Sequence, residues 1–303
     1  MLAPLGWIYG TSVAWKAVHT KPLRTGAGVI CVGNLSVGGT GKTPVAIEIA
    51  RRLLARGRNP FFLSRGYGGR LRGPIEVVED DRAADVGDEP LLLAQAAPAV
   101  IALDRQAGAK LAIERGADVI VMDDGHQNFS LEKDLSIVVV DGEAGFGNGR
   151  VVPAGPLREP VTQGLARADA VIIVGNGAPP LGTFSKPVMR AHLTLDDASI
   201  GGRRVVAFAG IGRPEKFFRS LHEAGADLIA SIGFADHHTY AAGEIARLRS
   251  KARAHNAELV TTEKDFLRLT RAQREGIRAV PAQASFDDPA ALERLLDRIS
   301  PKR

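Results

Sequence analysis

The chain has 303 residues, of which 45% are hydrophobic and 24% are charged. This globular composition excludes a disordered tail protein, a collagen-like chain and a coiled coil. Its one cysteine, Cys31, excludes an internal disulfide and a zinc cluster built on cysteines, so we expect a reducing compartment. The net charge of +5 favours an anionic partner and leaves nucleic acid, phosphate and an acidic membrane surface open.

The N-terminal segment contains both tryptophans of the chain, and no side chain before Lys16 is charged. It is shorter than the roughly 20 apolar residues that span a bilayer, and proline and glycine interrupt it. Four basic residues follow it: Lys16, His19, Lys21 and Arg24. Aromatic rings and basic side chains suit an anionic interface. We predict a membrane-associated helix within residues 1–24; the alternative is a terminal helix packed on the protein's own core.

Short apolar segments then alternate with helical patterns. The candidate strands are Val29–Val32, Pro60–Ser64, Ile75–Val78, Val100–Leu103, Val119–Met122 and Leu135–Val140. Continuous apolar strands separated by helices are typical of a parallel sheet that helices cover on both faces. Such a sheet binds ligands at the carboxyl ends of its strands.

A glycine-rich segment between the first strand and the next helix has the Walker A pattern of a phosphate-binding loop. Gly41, Lys42 and Thr43 fit this pattern, whereas Ser36 replaces its first glycine. Lys42 is expected to reach the β- and γ-phosphates of ATP, and Thr43 to bind Mg²⁺. The predicted phosphate-binding residues are Gly38, Gly39, Thr40, Gly41, Lys42 and Thr43. The alternative is an ordinary glycine-rich turn.

Two pairs of carboxylates are candidates for the metal and the reaction. Asp123 and Asp124 end an apolar strand, as in the Walker B arrangement that holds Mg²⁺, and neighbours on a strand cannot point the same way. Asp88 and Glu89 begin a helical segment, where one of them could face the phosphate loop as a base or metal group. For both pairs, capping a helix is the alternative.

A basic, glycine-rich loop follows the second strand and contains Arg65, Tyr67 and Arg70. Arginines near a strand end suit phosphate recognition, although a solvated flexible loop is the alternative. Arg158 lies in the Gly/Pro-rich segment 145–160, which is the best candidate for a domain boundary.

The second half repeats the alternation of strands and helices. The sequence Asp236-His237-His238 follows one of its strands, and a histidine there could orient a carboxylate. The sequence Thr262-Glu263-Lys264-Asp265 follows a later strand, and we interpret it as a polar strand end with a helix cap.

The order of these motifs resembles the tetraacyldisaccharide 4'-kinase family over nearly the full chain. The matching segments are residues 33–44, 63–69, 86–90, 123–127, 153–159, 236–238 and 262–265. His126 departs from the family pattern, in which Phe or Tyr is usual. This difference is expected to alter packing beside the metal carboxylates and to leave the chemistry intact.

The resemblance implies a kinase with ATP and Mg²⁺ as cofactors and a cleft between two domains. Its substrate would be an acylated glucosamine disaccharide 1-phosphate, phosphorylated on the 4'-hydroxyl to give lipid IVA. By the family's pattern, Asp88 accepts the proton and pairs with His237. Glu89, Asp123 and Asp124 would organise the metal and its water, with Thr43 as a direct ligand. The resemblance also implies attachment to the cytoplasmic face of the bacterial inner membrane.

We therefore predict an α/β protein with a P-loop NTPase-like parallel sheet domain and a second, smaller α/β domain. The predicted ranges are 1–24 for the membrane-associated helix, 25–148 for the kinase domain and 149–303 for the second domain. In a variant of this division, the C-terminal helix returns to the first domain. We expect a monomer, and no nucleic-acid partner because basic and aromatic residues are not interleaved. The alternative function is a P-loop ATPase or GTPase that acts as a switch on a protein or RNA.

Overall fold

The computed structural model describes residues 2–195 and 200–299. Met1, 196–199 and 300–303, which the predicted domain ranges include, lie outside the described residues. The first elements are α1 (Ala3–His19), β1 (Gly28–Gly33), α2 (Lys42–Ala55), β2 (Pro60–Ser64), β3 (Ile75–Glu76), α3 (Ala83–Val86), α4 (Asp88–Ala94), β4 (Ala99–Ile101), α5 (Arg105–Glu114), β5 (Val119–Asp123), β6 (Leu135–Asp141) and α6 (Val161–Ala166). The later elements are β7 (Ala170–Val174), β8 (Val188–Leu195), β9 (Arg204–Ala209), α7 (Pro214–Glu223), β10 (Asp227–Gly233), α8 (Ala242–Ala254), β11 (Glu258–Thr262), α9 (Glu263–Arg268), α10 (Arg271–Arg274), β12 (Ile277–Val280), β13 (Ala282–Phe286) and α11 (Pro289–Leu296).

The larger sheet has nine strands in the order β13-β8-β7-β6-β1-β5-β2-β4-β3. Its central strands are parallel, and β3 and β13 pair antiparallel at its two edges. Every residue of β1, β5 and β6 is buried, because helices pack on both faces of the sheet. The carboxyl ends of β1 and β5 therefore lie side by side, with the phosphate loop after one and the two aspartates at the end of the other.

A smaller parallel sheet, β10-β9-β11-β12, is inserted in the chain between β8 and β13 of the larger sheet. This confirms the predicted α/β class with a second, smaller domain. The predicted division at residue 149 differs from the observed sheets, since β7 and β8 belong to the larger one. Helix α11 also packs in the core of the larger sheet, through Leu292, Leu295 and Leu296.

The Gly/Pro-rich segment 145–160 lies beside the phosphate loop. It packs against the start of the phosphate loop, where Val37 N–H donates to the Pro156 carbonyl (2.8 Å) and Arg158 N–H donates to the Leu35 carbonyl (2.7 Å). Its glycines and prolines form tight turns beside the site rather than a linker between domains.

Helix α1 lies against this same segment with its small residues inward. A Cβ on Gly6 would lie 2.7 Å from the Val151 carbonyl oxygen, so only glycine permits this approach. The large apolar side chains point outward: Trp7 is 73% exposed and Trp15 is 62% exposed. In the ranges that the structure describes, no helix is both long and apolar enough to cross a membrane. Association of α1 with a membrane surface stays a prediction.

Candidate active site

The phosphate loop connects buried β1 to α2 at the carboxyl edge of the larger sheet. Gly38 (φ 101°) and Gly41 (φ 83°) have left-handed backbone conformations that favour glycine. Gly41 is also the residue before the first turn of α2, so the free N–H groups of that helix begin beside the loop. Asn34 supports the loop from below, since its amide donates to Thr40 Oγ1 (3.2 Å). This arrangement suits an anionic phosphate group.

The first of the two aspartates meets the phosphate loop. Thr43 Oγ1 donates to Asp123 Oδ2 (3.2 Å), and both side chains are buried. Asp123 Oδ1 is buried and has no hydrogen-bond partner among the described residues, so it can accept a cation or a water. Burial and the charge of Glu89 raise the pKa of Asp123 to about 7, against the opposing charge of Lys42.

These residues fit a magnesium ion that is shared with a nucleotide. In residues 2–195 and 200–299, no group of three or more His, Cys, Asp or Glu side chains could hold a metal by itself. Mg²⁺ usually takes only one or two carboxylates and completes its octahedron with phosphates and water. The unpartnered oxygen of Asp123 and the hydroxyl of Thr43 are ligands of that kind.

Asp124 points elsewhere, because its backbone turns into the left-handed region (φ 56°) just after β5 ends. Arg158 holds its carboxylate with two hydrogen bonds of 2.6 and 3.0 Å. Lys42 Nζ lies 3.9 Å from Asp124 Oδ2 and 3.9 Å from Glu89 Oε1. The structure therefore separates the neighbouring aspartates, with Asp123 on Thr43 and Asp124 between the two cations Arg158 and Lys42.

Asp88 lies at the start of α4 and faces the smaller domain. Its Oδ2 accepts from Arg268 Nε (2.8 Å) and lies 3.3 Å from His237 Nδ1, while its Oδ1 accepts from Glu89 N–H (2.9 Å). Burial would raise the pKa of Asp88, but the hydrogen bond from His237 and the charge of Arg268 lower it below its usual value. Gly87 rather than Asp88 precedes the helix, so Asp88 is not its cap.

Glu89 is enclosed by two lysines. Lys264 Nζ donates to Glu89 Oε1 (2.6 Å), and Lys42 lies on its other side. Although burial raises the pKa of Glu89, the charges of Lys264 and Lys42 lower it to about 2. Glu89 is thus an ionised carboxylate beside the phosphate-loop lysine.

The two adjacent histidines have different neighbours. His237 has a left-handed backbone (φ 57°) and directs its ring to Asp88; that hydrogen bond raises the pKa of His237. His238 Nε2 lies 3.0 Å from Glu244 Oε2 in the first turn of α8, away from the carboxylates of the larger domain. His237 is the one that touches the candidate base.

The basic loop after β2 brings one of its predicted residues to the cleft. The ring of Tyr67 meets the ring of His237 edge to face, at 5.6 Å between centroids, and Tyr67 is 66% exposed. Arg65 is exposed, and Arg70 pairs with Asp85 on α3. A Cβ on Gly87 would lie 2.5 Å from the Tyr67 carbonyl oxygen, so glycine allows this loop to lie against the turn that bears Asp88.

The smaller domain also reaches the rim of the phosphate loop. Arg213 Nη2 donates to the Gly39 carbonyl (3.2 Å) and to Asp141 Oδ2 (2.6 Å). Lys216 donates to the same Asp141 oxygen (2.6 Å). The cleft between the domains is thus bordered by ion pairs on both sides.

Three cations that the smaller domain supplies were not predicted from the sequence as site residues: Lys264, Arg268 and Arg213. The interpretation of residues 262–265 as a capped strand end is confirmed for Thr262, whose hydroxyl accepts from Asp265 N–H (3.1 Å). It is incomplete for Lys264, which enters the site. The four-residue spacing of Lys264 and Arg268 placed both on one helix face and was the available signal.

The chain matches a family model over residues 1–300, and that family is Tetraacyldisaccharide-1-P 4'-kinase. A tetraacyldisaccharide 4'-kinase of Rhodospirillum centenum is 50% identical over 303 residues, covering 98% of this chain and 90% of that protein. One from Methylobacterium radiotolerans is 50% identical over 300 residues, covering 97% of this chain and 92% of its own. The crystal structure of LpxK from Aquifex aeolicus in complex with ATP has a TM-score of 0.78, with 28% identity and 98% coverage of both chains.

Proposed function

The chain belongs to the tetraacyldisaccharide-1-P 4'-kinase family, and we propose that it transfers the γ-phosphate of ATP to the 4'-hydroxyl of a tetraacylated glucosamine disaccharide 1-phosphate. The product is lipid IVA, an intermediate of lipid A. One observation carries the proposal: the lysine of the phosphate loop lies 3.9 Å from the carboxylate of Glu89, next to the buried Asp88, in a chain that matches the family over residues 1–300.

Positioning and charge compensation supply most of the catalysis in phosphoryl transfer. The N–H groups of the loop and of the first turn of α2 hold the phosphates, and Lys42 offsets their negative charge. Lys42 lies between Glu89 and Asp124 and is buried. Its ammonium group is therefore already positioned to offset the negative charge that develops on the transferred phosphate. Thr43 and Asp123 would hold Mg²⁺, which would supply further charge compensation when bound, and Glu89 and Asp124 would orient its water.

Asp88 orients the attacking hydroxyl and accepts its proton. Its lowered pKa keeps it ionised at neutral pH and makes it a weak base, which suits a loose transition state in which the hydroxyl proton leaves late. His237 steadies the carboxylate from the smaller domain. Arg65, Tyr67 and Arg70 on the basic loop, together with Arg158, line the approach for the anionic substrate.

The lipid substrate places the reaction at a membrane surface. We propose that α1 lies in the cytoplasmic face of the inner membrane, with Trp7 and Trp15 in the interface and the basic residues after Lys16 near anionic headgroups. We also propose that the protein acts as a monomer.

The test is a direct assay of the purified full chain with ATP, Mg²⁺ and the disaccharide lipid. Transfer of phosphate to the 4'-hydroxyl is expected, and Lys42→Ala and Asp88→Ala are expected to lower kcat at least about 100-fold. Arg278→Ala, which removes a partner of Glu258 in the smaller sheet, is a matched charge-loss control.

Two results would contradict the proposal. Normal turnover in both the Lys42 and Asp88 variants would contradict the mechanism. ATP hydrolysis that a protein or RNA stimulates, without transfer to the lipid, would favour the switch function instead.

A further inference from the structure

We propose that Arg268 is a positioning residue for the phosphoryl transfer. It is a cation of the smaller domain that holds the carboxylate of Asp88 in the larger domain. Asp88 is therefore oriented for the reaction only while the two domains are docked. The inference rests on the proposed function, because it takes Asp88 as the group that receives the substrate hydroxyl.

The guanidinium of Arg268 joins the two domains through opposite edges. On one edge, Nε and Nη2 both donate to Asp88 Oδ2 of the larger domain. On the other edge, Nη1 donates to the Gly210 carbonyl (2.6 Å) and to Asp265 Oδ1 (2.9 Å) of the smaller domain. A planar group held at both edges has little freedom to turn.

Asp265 is itself held from three directions. Its Oδ1 accepts from the Tyr240 hydroxyl (2.7 Å) and from Gly210 N–H (3.0 Å), and its Oδ2 accepts from Thr262 Oγ1 (2.7 Å). The Asp265 side chain has no exposed surface. Arg268 therefore rests on a rigid support that belongs entirely to the smaller domain.

The burial of Arg268 with Asp88 is unusual for an ion pair whose only role is to stabilise the fold. The side chains of Arg268 and Asp88 are 7% and 4% exposed. The cost of removing two charges from water is often as large as their attraction, so a buried pair is a weak means of stabilising a fold. A role in orienting Asp88 accounts for the pair, because orientation at a reacting centre repays such a cost.

The contacts also distinguish the two oxygens of Asp88. Oδ2 is occupied by Arg268 and lies beside His237, whereas Oδ1 accepts one hydrogen bond from the described residues, that of Glu89 N–H. Oδ1 is thus the oxygen with capacity for the substrate hydroxyl. Without Arg268, the carboxylate could rotate about χ2 and direct neither oxygen at the substrate hydroxyl.

The experiment compares Arg268→Met and Arg268→Lys with Arg274→Met as a matched control. Arg274 is a nearby arginine whose guanidinium bonds the carbonyls of Phe266, Leu267 and Leu269 and does not contact Asp88. The measurements are kcat, the KM for lipid and ATP, the affinity for a fluorescent ATP analogue, and thermal unfolding.

We expect Arg268→Met to lower kcat about 100-fold, which is the size of effect a misplaced general base gives. ATP affinity is expected to stay within about threefold, since Arg268 contacts Asp88 and not the phosphate loop. Arg268→Lys keeps the positive charge but cannot bond Asp88 and the smaller domain through opposite edges of one planar group. It is therefore expected to have a kcat between those of Arg268→Met and the wild type. If Arg268→Met does not fold, Arg268→Lys gives the test alone, with a lowered kcat at unchanged ATP affinity expected.

Added methylguanidinium should also raise the kcat of Arg268→Ala and leave that of Arg274→Met unchanged. The proposal is overturned if Arg268→Met keeps wild-type kcat. If Arg268→Met does not fold, it is overturned when Arg268→Lys keeps wild-type kcat. It is equally overturned if Arg274→Met loses as much activity as Arg268→Met, since the effect would then be a general disturbance of α9. A wild-type chain that does not phosphorylate the lipid defeats the proposed function as well, so the two failures are distinguishable.

Discussion

Replacing both tryptophans of α1 by alanine is expected to weaken binding to anionic membranes and to leave the fold intact. Trp7 and Trp15 are 73% and 62% exposed, and α1 contacts the rest of the protein through its opposite, small-residue face at Gly6 and Gly10. The substitutions therefore remove apolar surface from solvent-facing positions and not from the core.

The size of the effect follows from the exposed area. A tryptophan offers up to about 250 Å², so each exposed ring presents about 160 Å². At about 25 cal/mol per Å², full transfer of that area is worth about 4 kcal/mol. A ring that is half immersed in the interface contributes about 2 kcal/mol, which is about 30-fold in affinity for each tryptophan and nearly 1,000-fold for both.

The assay is co-sedimentation of the full chain with vesicles that contain an anionic phospholipid, at low and high salt. The control is Leu54→Ala, which truncates an exposed apolar side chain on α2 instead of α1. Thermal unfolding should be unchanged in both variants. If the double tryptophan variant sediments like the wild type, the exposed face of α1 is not the membrane contact.

Four further predictions concern stability, all measured by thermal and chemical unfolding. Gly108→Ala should cost about 1–3 kcal/mol, because its Cβ would lie 2.6 Å from a Leu63 methyl group; Gly243→Ala, a helix position with open space around it, should instead stabilise by about 0.5–1 kcal/mol. Burial lowers the pKa of His126 to about 3, so the folded state keeps the ring neutral, whereas an unfolded histidine titrates near 6.5. The wild type should therefore lose about 1.4 kcal/mol per pH unit, relative to His126→Phe, as the pH falls below about 6.5, and equal pH slopes would refute this. Asp141→Asn should destabilise by about 2 kcal/mol, because two partly exposed cations of the smaller domain lose the buried carboxylate that they share, and an unchanged midpoint would contradict it.

The local parts of the site were predictable because each is encoded in adjacent residues. The phosphate loop has a strand before it and a helix after it, and the strand that ends at Asp123 is an unbroken apolar segment. These sequence patterns depend on backbone geometry within about ten residues, so they can be recognised without knowledge of tertiary contacts. The α/β class followed from the same alternation of segments.

The contacts between domains were not predictable in this way. Arg268 and Asp88 are 180 residues apart in sequence, and only the docking of the smaller sheet brings them together. The divergence of Asp123 and Asp124 was expected from strand geometry, whereas the positive φ of Asp124 and its pairing with Arg158 were not. A Gly/Pro-rich segment is a weak guide to a domain boundary, because glycine and proline mark tight turns wherever the chain needs them, within a domain as well as between domains.

The insertion of the smaller domain has a consequence for how the cleft can open. Its entry and exit strands are neighbours in the larger sheet, where Leu195 of β8 lies opposite Ala282 of β13. A domain attached through two adjoining strands rotates about a single hinge axis, because a sliding motion would strain both attachments. Opening to admit ATP and lipid, and closing to align them, would then retrace one path, and each turnover would bring α9 back to the same place on the larger domain.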